Sequence, residues 1–279
     1  MMTTFAKART TQPEGVATMT LYDNAISPFA RKVRMVLDWK NLAYETVDGL
    51  DKRNHDKLAA VNGRVEVPAL ADGEETVINS ADIVAYLEHR YPAKPVFPAD
   101  PAMRARARAW ERCADSVVDP IVVNLSYWLL NVRPDTMPAG LKEKAQADLD
   151  RVYAALERAL AGREFLCGAF SIADIALFPH LVSVNAVGVP YAPEAHPNLA
   201  AWVRRLRGIE ACRADLQRAR AFMANLGKQN LERVKIFWRG DRIEWMLASG
   251  YHKWIMAEIE AGRTIWPGLG IPAPEGVRA

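Results

Sequence analysis

Hydrophobic and polar positions along the first hundred residues follow two alternating periods. The apolar run from Met19 to Tyr22 has the length of a strand, and after a polar turn Val33, Val36 and Leu37 recur at helical spacing behind Pro28. This pattern predicts a strand over 18–22 and a helix over 28–40. A strand over 43–48, a helical patch over 51–61, strands over 68–72 and 76–78 and a helix over 80–91 follow. Strands alternating with helices imply an α/β layer.

Tyr91 to Pro101 carries four prolines in eleven residues and reads as an extended linker. Beyond it the pattern is helical, over about 102–131, 138–161, 171–187, 197–207 and 209–226. In the second of these, Leu141, Ala145, Leu149, Val152 and Leu156 form one buried face. After about residue 227 comes an extension holding Trp238, Trp245, Trp254 and Trp266, half of the eight tryptophans. Residues 241–262 are predicted as one added helix ended by Gly262, before an irregular end containing Pro267, Gly268, Gly270, Pro272 and Pro274. Two roles stay open for this extension: packing across the helical unit or a partner copy, and a lid over a substrate cleft. The first 17 residues are Thr-rich, lack the apolar core of a secretory signal and are expected to form a disordered tail. The expected organisation is thus a tail over 1–17, an α/β unit over 18–91, a linker over 92–101, an all-helical unit over 102–227 and an extension over 228–279.

Two local signals carry more than periodicity. Proline is well tolerated at the first helical position, so Ser27 before Pro28 falls at a helix cap after a strand. It serves either as a simple N-cap or as a hydroxyl holding a bound thiolate, because unpaired N–H groups and the helix dipole favour negative charge there. Ser171 and Asp174 form a capping box with Phe170 and Ile175 as its hydrophobic staple. As a cap alone, removal of Asp174 would cost about 1 kcal/mol or somewhat more.

Composition narrows the function classes. A net charge of +3 over 279 residues is too mild for nucleic acid. The basic run Arg104, Arg106, Arg108 and Arg112 lacks interleaved aromatics and reads as a solvated helix face. Cys113, Cys167 and Cys212 form no Cys-x-x-Cys, which fits a reducing, cytoplasmic setting. His55, His89, His180, His196 and His252 show no metal-ligand spacing and read as structural or surface residues, so no metal is expected. The stretch 175–193 is free of charge but contains Pro179, His180, Asn185, Gly188 and Pro190, so a buried helix leading into a loop is expected there and no membrane span.

Taken in order, Ser27-Pro28-Phe29 with Lys32-Val33-Arg34, Glu66-Val67-Pro68, Asn79-Ser80 with Ile83, the proline linker and the Ser171–Asp174 box resemble the cytosolic glutathione transferase superfamily over residues 18–226. The flavour is that of serine-type zeta and theta classes and bacterial relatives. The resemblance implies a thioredoxin-like N-terminal domain, an all-helical C-terminal domain, glutathione as co-substrate, a role in detoxification and a homodimer. It places Ser27 at the glutathione thiolate, with Phe29 among the glutathione-binding residues and also a candidate for the wall of the electrophile site. It places Pro68 in a cis bond, with the Val67 main chain facing the cysteinyl backbone of the tripeptide, and the γ-glutamyl carboxylate at the helix N-terminus begun by Ser80. Hydrophobic electrophiles would lie between the domains, against Trp110, Tyr127 and Trp128, each of which serves equally as helix core.

Two positions depart from the family pattern. Asn79 stands where Glu or Gln is common, and Glu66 where a lysine can help hold the glycine carboxylate. Arg53 and Arg64 are candidate substitutes, since arginine pairs with a carboxylate through two hydrogen bonds. Disulfide-exchange chemistry is disfavoured, because no cysteine lies between Met1 and Arg112. Ether cleavage or halide displacement with glutathione stays open, as does a non-catalytic binding module of the same fold.

Overall fold

The computed structural model describes residues 19–130, 134–228, 236–237 and 239–266. The expected tail, Trp238 and the Gly/Pro-rich end lie outside the described residues. Strand β1 (Met19–Asp23) buries Met19 and Leu21 on one face, as the two-residue period of a strand requires. Helix α1 (Pro28–Lys40) carries the chain back to β2 (Tyr44–Asp48), which pairs parallel to β1 from Met19 opposite Tyr44 to Asp23 opposite Asp48. Parallel neighbours need such a crossover, and a helix supplies it.

A 3₁₀ turn at Lys52–Asn54 leads into α2 (His55–Asn62), so the patch predicted over 51–61 is a helix with a tighter first turn. Strands β3 (Ala69–Asp72) and β4 (Glu75–Ile78) form an antiparallel hairpin, and Gly73 at φ +67° makes its turn. The sheet order is β2-β1-β3-β4. Helix α3 (Ser80–Arg90) packs on the same face as α1, with Ile83, Val84 and Leu87 buried.

The proline linker ends at α4 (Pro101–Cys113), capped by Asp100, whose Oδ1 accepts from the Met103 N–H at 2.8 Å. A π-helical turn, Ala114–Val118, joins α4 to α5 (Asp119–Leu130). The helix predicted over 102–131 is therefore interrupted, a feature often found near functional sites. Helix α6 (Leu141–Ala159) buries the predicted face. The stretch predicted as one helix over 171–187 is two, α7 (Ile172–Leu181) and α8 (Val184–Val187), followed by α9 (Pro197–Gly208) and α10 (Glu210–Ala224).

The extension differs from expectation. The short strand β5 (Ile236–Phe237) pairs parallel with β6 (Thr264–Ile265), and two helices lie between them. The single helix predicted over 241–262 is broken into α11 (Gly240–Ala248) and α12 (His252–Glu260) by Gly250 at φ +89°, a conformation a helix interior cannot hold. Trp254 of α12 meets Tyr127 and Trp128 of α5 at ring distances of 6.4 and 5.3 Å, and Arg242 pairs with fully buried Asp119 at 2.9 Å. The extension is thus built into the helical unit. Among the described residues, no helix is long and apolar enough to cross a membrane.

Candidate active site

Ser27 holds the N-cap position of α1 with extended backbone angles (φ −64°, ψ 118°). Its carbonyl accepts from the Arg31 N–H at 2.9 Å, and its own N–H donates to the Asn24 carbonyl at 3.2 Å. The side chain takes no part in capping. Ser27 is half-buried, and its hydroxyl makes no capping hydrogen bond. No acidic residue stands in the first turn of α1, so nothing there offsets the partial positive charge of the unpaired N–H groups. Such a corner suits an anion.

Helix α1 owes its position to charge as much as to apolar contact. Val33, Val36 and Leu37 are buried as their spacing predicts, but so are Arg31, Lys32 and Arg34. Arg31 donates from Nε and Nη2 to Asp215 Oδ2 at 3.0 and 2.8 Å, and from Nη1 to the Pro179 carbonyl at 3.3 Å. Arg34 donates to Asp215 Oδ1 at 2.7 Å and pairs closely with Asp23. Lys32 reaches Glu111 at 3.1 Å and Asp115, in the π turn, at 2.6 Å. Burial pushes the Asp23 and Asp115 carboxyls above the usual carboxylate range, while the paired cations pull them back. The helix under Ser27 is clamped to α10, α7 and the π turn of the helical unit.

The loop between α2 and β3 carries Arg64, Glu66, Val67 and Pro68. Val67–Pro68 is a cis peptide, and the β3–β4 ladder starts beyond it at Ala69. The Asn62 side chain donates to the Glu66 carbonyl. The Glu66 carboxylate is held by Arg64 at 2.5 Å and by Arg239, at the start of α11, at 3.6 Å. The same Arg239 guanidinium lies 4.1 Å from the centre of the Phe29 ring. Glu66 is therefore a paired carboxylate. Arg64 is occupied by Glu66, and Arg53 by Asp51 at 2.6 Å on an exposed turn. Arg239 is the residue at this edge that sequence reasoning missed, and no local pattern around it signals the contact.

At the N-terminus of α3, Asn79 at φ +69° performs the capping: its Oδ1 accepts from the Ala81 N–H at 3.0 Å. Asparagine is among the side chains that tolerate this left-handed backbone region. Ser80, 4% exposed, is relieved of that duty and stands at the helix end.

An interdomain cavity of about 330 Å³ is bordered by Ile26 and Pro28, the residues on either side of Ser27, and by Val122, Val182, Leu216 and His180; Ser27 itself is not on its wall. The residues expected on the electrophile wall do not border this cavity. Tyr127 and Trp128 are buried, packed edge-on at 5.1 Å with Trp254 across them. Trp110 borders a separate groove of about 520 Å³ between α4, α6 and α11. The aromatic faces of Tyr127 and Trp128 are used to seat the extension, which the pattern of α5 alone does not reveal. Among the described residues, no group of His, Cys, Asp and Glu is placed to hold a metal ion.

The βαβ unit, its hairpin and α3 make a thioredoxin-like domain, and the helices from α4 onward make an all-helical partner to it. The glutathione S-transferase N-terminal domain matches residues 21–95, and the glutathione S-transferase C-terminal domain matches 138–205. Glutathione S-transferase GstB of Escherichia coli K12 is 29% identical over 203 residues, covering 70% of this chain and 96% of the relative. Glutathione S-transferase theta-1 of Rattus norvegicus is 31% identical over 206 residues, covering 67% of this chain and 81% of the relative. The structure of a glutathione S-transferase from Rhodospirillum rubrum superimposes with a TM-score of 0.63 at 24% identity, covering 71% of this chain and 92% of that one. The chain belongs to the glutathione S-transferase family, with glutathione as its co-substrate.

Proposed function

We propose that this chain conjugates glutathione to a hydrophobic electrophile, with the Ser27 hydroxyl donating a hydrogen bond to the glutathione thiolate. One observation carries the proposal: Ser27 sits at the N-terminus of α1 with its hydroxyl uncommitted to capping, between two residues that border an interdomain cavity. A free thiol has a pKa of about 8.5, so only a few per cent is ionised at neutral pH. A hydroxyl donor and a helix N-terminus both favour the charged form. A lowering of about two units corresponds to roughly 2.7 kcal/mol and leaves most of the bound thiol nucleophilic. The sulfur then attacks the electrophilic carbon, and the leaving group departs with its electron pair.

Val67, Ser80 and Asn79 belong to the same proposal as the seats of the cysteinyl backbone and the γ-glutamyl carboxylate. Its support is the helix N-terminus at Ser80, where the capping is done by Asn79. Pairing of Glu66 with Arg64 and Arg239 removes the unopposed negative charge that would repel the tripeptide. Assembly as a cytoplasmic homodimer belongs to the proposal on family grounds alone.

The test is Ser27→Ala. The thiolate absorbance of bound glutathione, followed against pH, is expected to titrate one to two units higher, with a matching loss of conjugation rate at neutral pH and an unchanged thermal midpoint. An unaltered titration and rate would remove Ser27 from the chemistry.

A further inference from the structure

The cavity between Ile26, Pro28 and the helical unit has apolar walls, yet the charged residues among its described lining are of one sign. Among the described residues no carboxylate borders it, whereas Arg207 of α9 and Arg220 of α10 do, both solvent-exposed. Neither has an ion-pair partner among the described residues. Arg31 borders the same space, but its guanidinium is spent on Asp215 and the Pro179 carbonyl. Two exposed guanidiniums on the border of an apolar cavity, unpaired among the described residues, favour an anionic group on whatever enters.

A buried imidazole without a full set of partners lies on the same wall. His180 is 1% exposed and borders the cavity, and its Nδ1 is buried without a hydrogen-bond partner. A buried polar atom left unmade costs about 1–3 kcal/mol, a cost recovered when a bound molecule brings a complementary group. Burial holds the imidazole neutral, with one nitrogen as donor and the other as acceptor. The Ser126 and Ser183 hydroxyls donate to the Val123 and Pro179 carbonyls at 2.7 Å each and so offer the cavity only acceptor lone pairs.

We propose that the second substrate is an amphipathic organic acid, with its apolar body in the cavity, a polar group against His180 and its carboxylate between Arg207 and Arg220. This rests on the conjugation proposal and narrows its electrophile. In the reaction the glutathione sulfur forms the new bond to an activated carbon, and halide or another leaving group departs with the bonding pair. The carboxylate is a handle that takes no part in the bond change.

Two chloronitroarenes that react by the same aromatic substitution test this, one neutral (1-chloro-2,4-dinitrobenzene) and one bearing a ring carboxylate (4-chloro-3,5-dinitrobenzoate). The ratio of their kcat/KM values is measured for the full chain and for Arg207→Gln/Arg220→Gln, a pair of exposed substitutions whose folding circular dichroism checks. The ratio, carboxylated over neutral, is expected to fall about tenfold in the variant, and more at low than at high ionic strength. An unchanged ratio would overturn the proposal. Should neither compound react, the conjugation proposal fails separately, and calorimetric binding of the carboxylated compound decides this one. Binding weakened in the variant supports the cavity assignment, and equal binding in both proteins refutes it.

Discussion

Arg239 and Phe29, 210 residues apart in sequence, are joined face to cation: the guanidinium lies 4.1 Å from the ring centre. The contact ties the start of α11 to the second residue of the helix that presents Ser27, and a further 3.6 Å approach ties it to Glu66. The extension, beyond the reach of the matched family domains, thereby adds a residue to the edge proposed to hold glutathione.

Arg239→Ala is expected to weaken glutathione binding several-fold, because Glu66 then faces the tripeptide with only Arg64 to neutralise it. At a partly exposed site this corresponds to about 1 kcal/mol, shared between lost cation–π contact and uncovered negative charge. Calorimetric titration with glutathione at two salt concentrations checks it. Equal affinities for both proteins would confine Arg239 to packing.

Asp215 accepts three hydrogen bonds from Arg31 and Arg34 with no exposed surface of its own. Its removal leaves two buried guanidiniums short of a counter-charge, a type of change that costs about 3–5 kcal/mol. Asp215→Ala is expected to lower the urea midpoint accordingly. It should also lower conjugation in the fraction that stays folded, since α1 loses its hold on α10. Replacement with full retention of stability would show that the clamp is dispensable.

Asp174 does more than cap. Its carboxylate accepts from the Ser171 N–H at 2.9 Å, the Ser171 hydroxyl at 3.0 Å, the Leu166 N–H at 3.2 Å and the Trp202 indole at 2.9 Å. Asp174→Ala strands several buried donors and is expected to cost about 3 kcal/mol or more, above the cap-only figure. Asp174→Asn, which keeps acceptor capacity, should recover part of the loss. Denaturant titration of both variants measures the difference.

His180 supplies a pH dependence. Burial, with Arg31, Arg242 and Lys32 adding to it and Asp119 opposing, holds its pKa down at about 4 against 6.5 in an unfolded chain. Between those values the unfolded state binds the proton and the folded state does not. The stability is therefore fully present above pH 6.5 and declines as pH falls toward 4, by roughly 3 kcal/mol at most. Other groups titrate in the same window, so the prediction concerns the difference between the native chain and His180→Gln. The native chain should lose more stability between pH 6.5 and 4.5. Parallel curves for the two proteins would contradict it.

Local pattern determined much of this protein. Strand and helix periods, the proline linker, Ser27 before Pro28, Val67 before Pro68 and the Ser171–Asp174 box are short-range signals, because backbone hydrogen bonding and capping act within a few residues. From them the α/β layer, the helical unit and the family resemblance are legible. Tertiary structure alone decided which polar residues work together. Arg31 and Arg34 look like the wet face of a helix until Asp215 meets them from α10. Tyr127 and Trp128 look available to a substrate until Trp254 covers them, and Arg239 looks remote until α11 swings it over Phe29. Such pairings join residues separated by more than a hundred positions. Their energies depend on burial and mutual distance, quantities that exist only once the chain has folded.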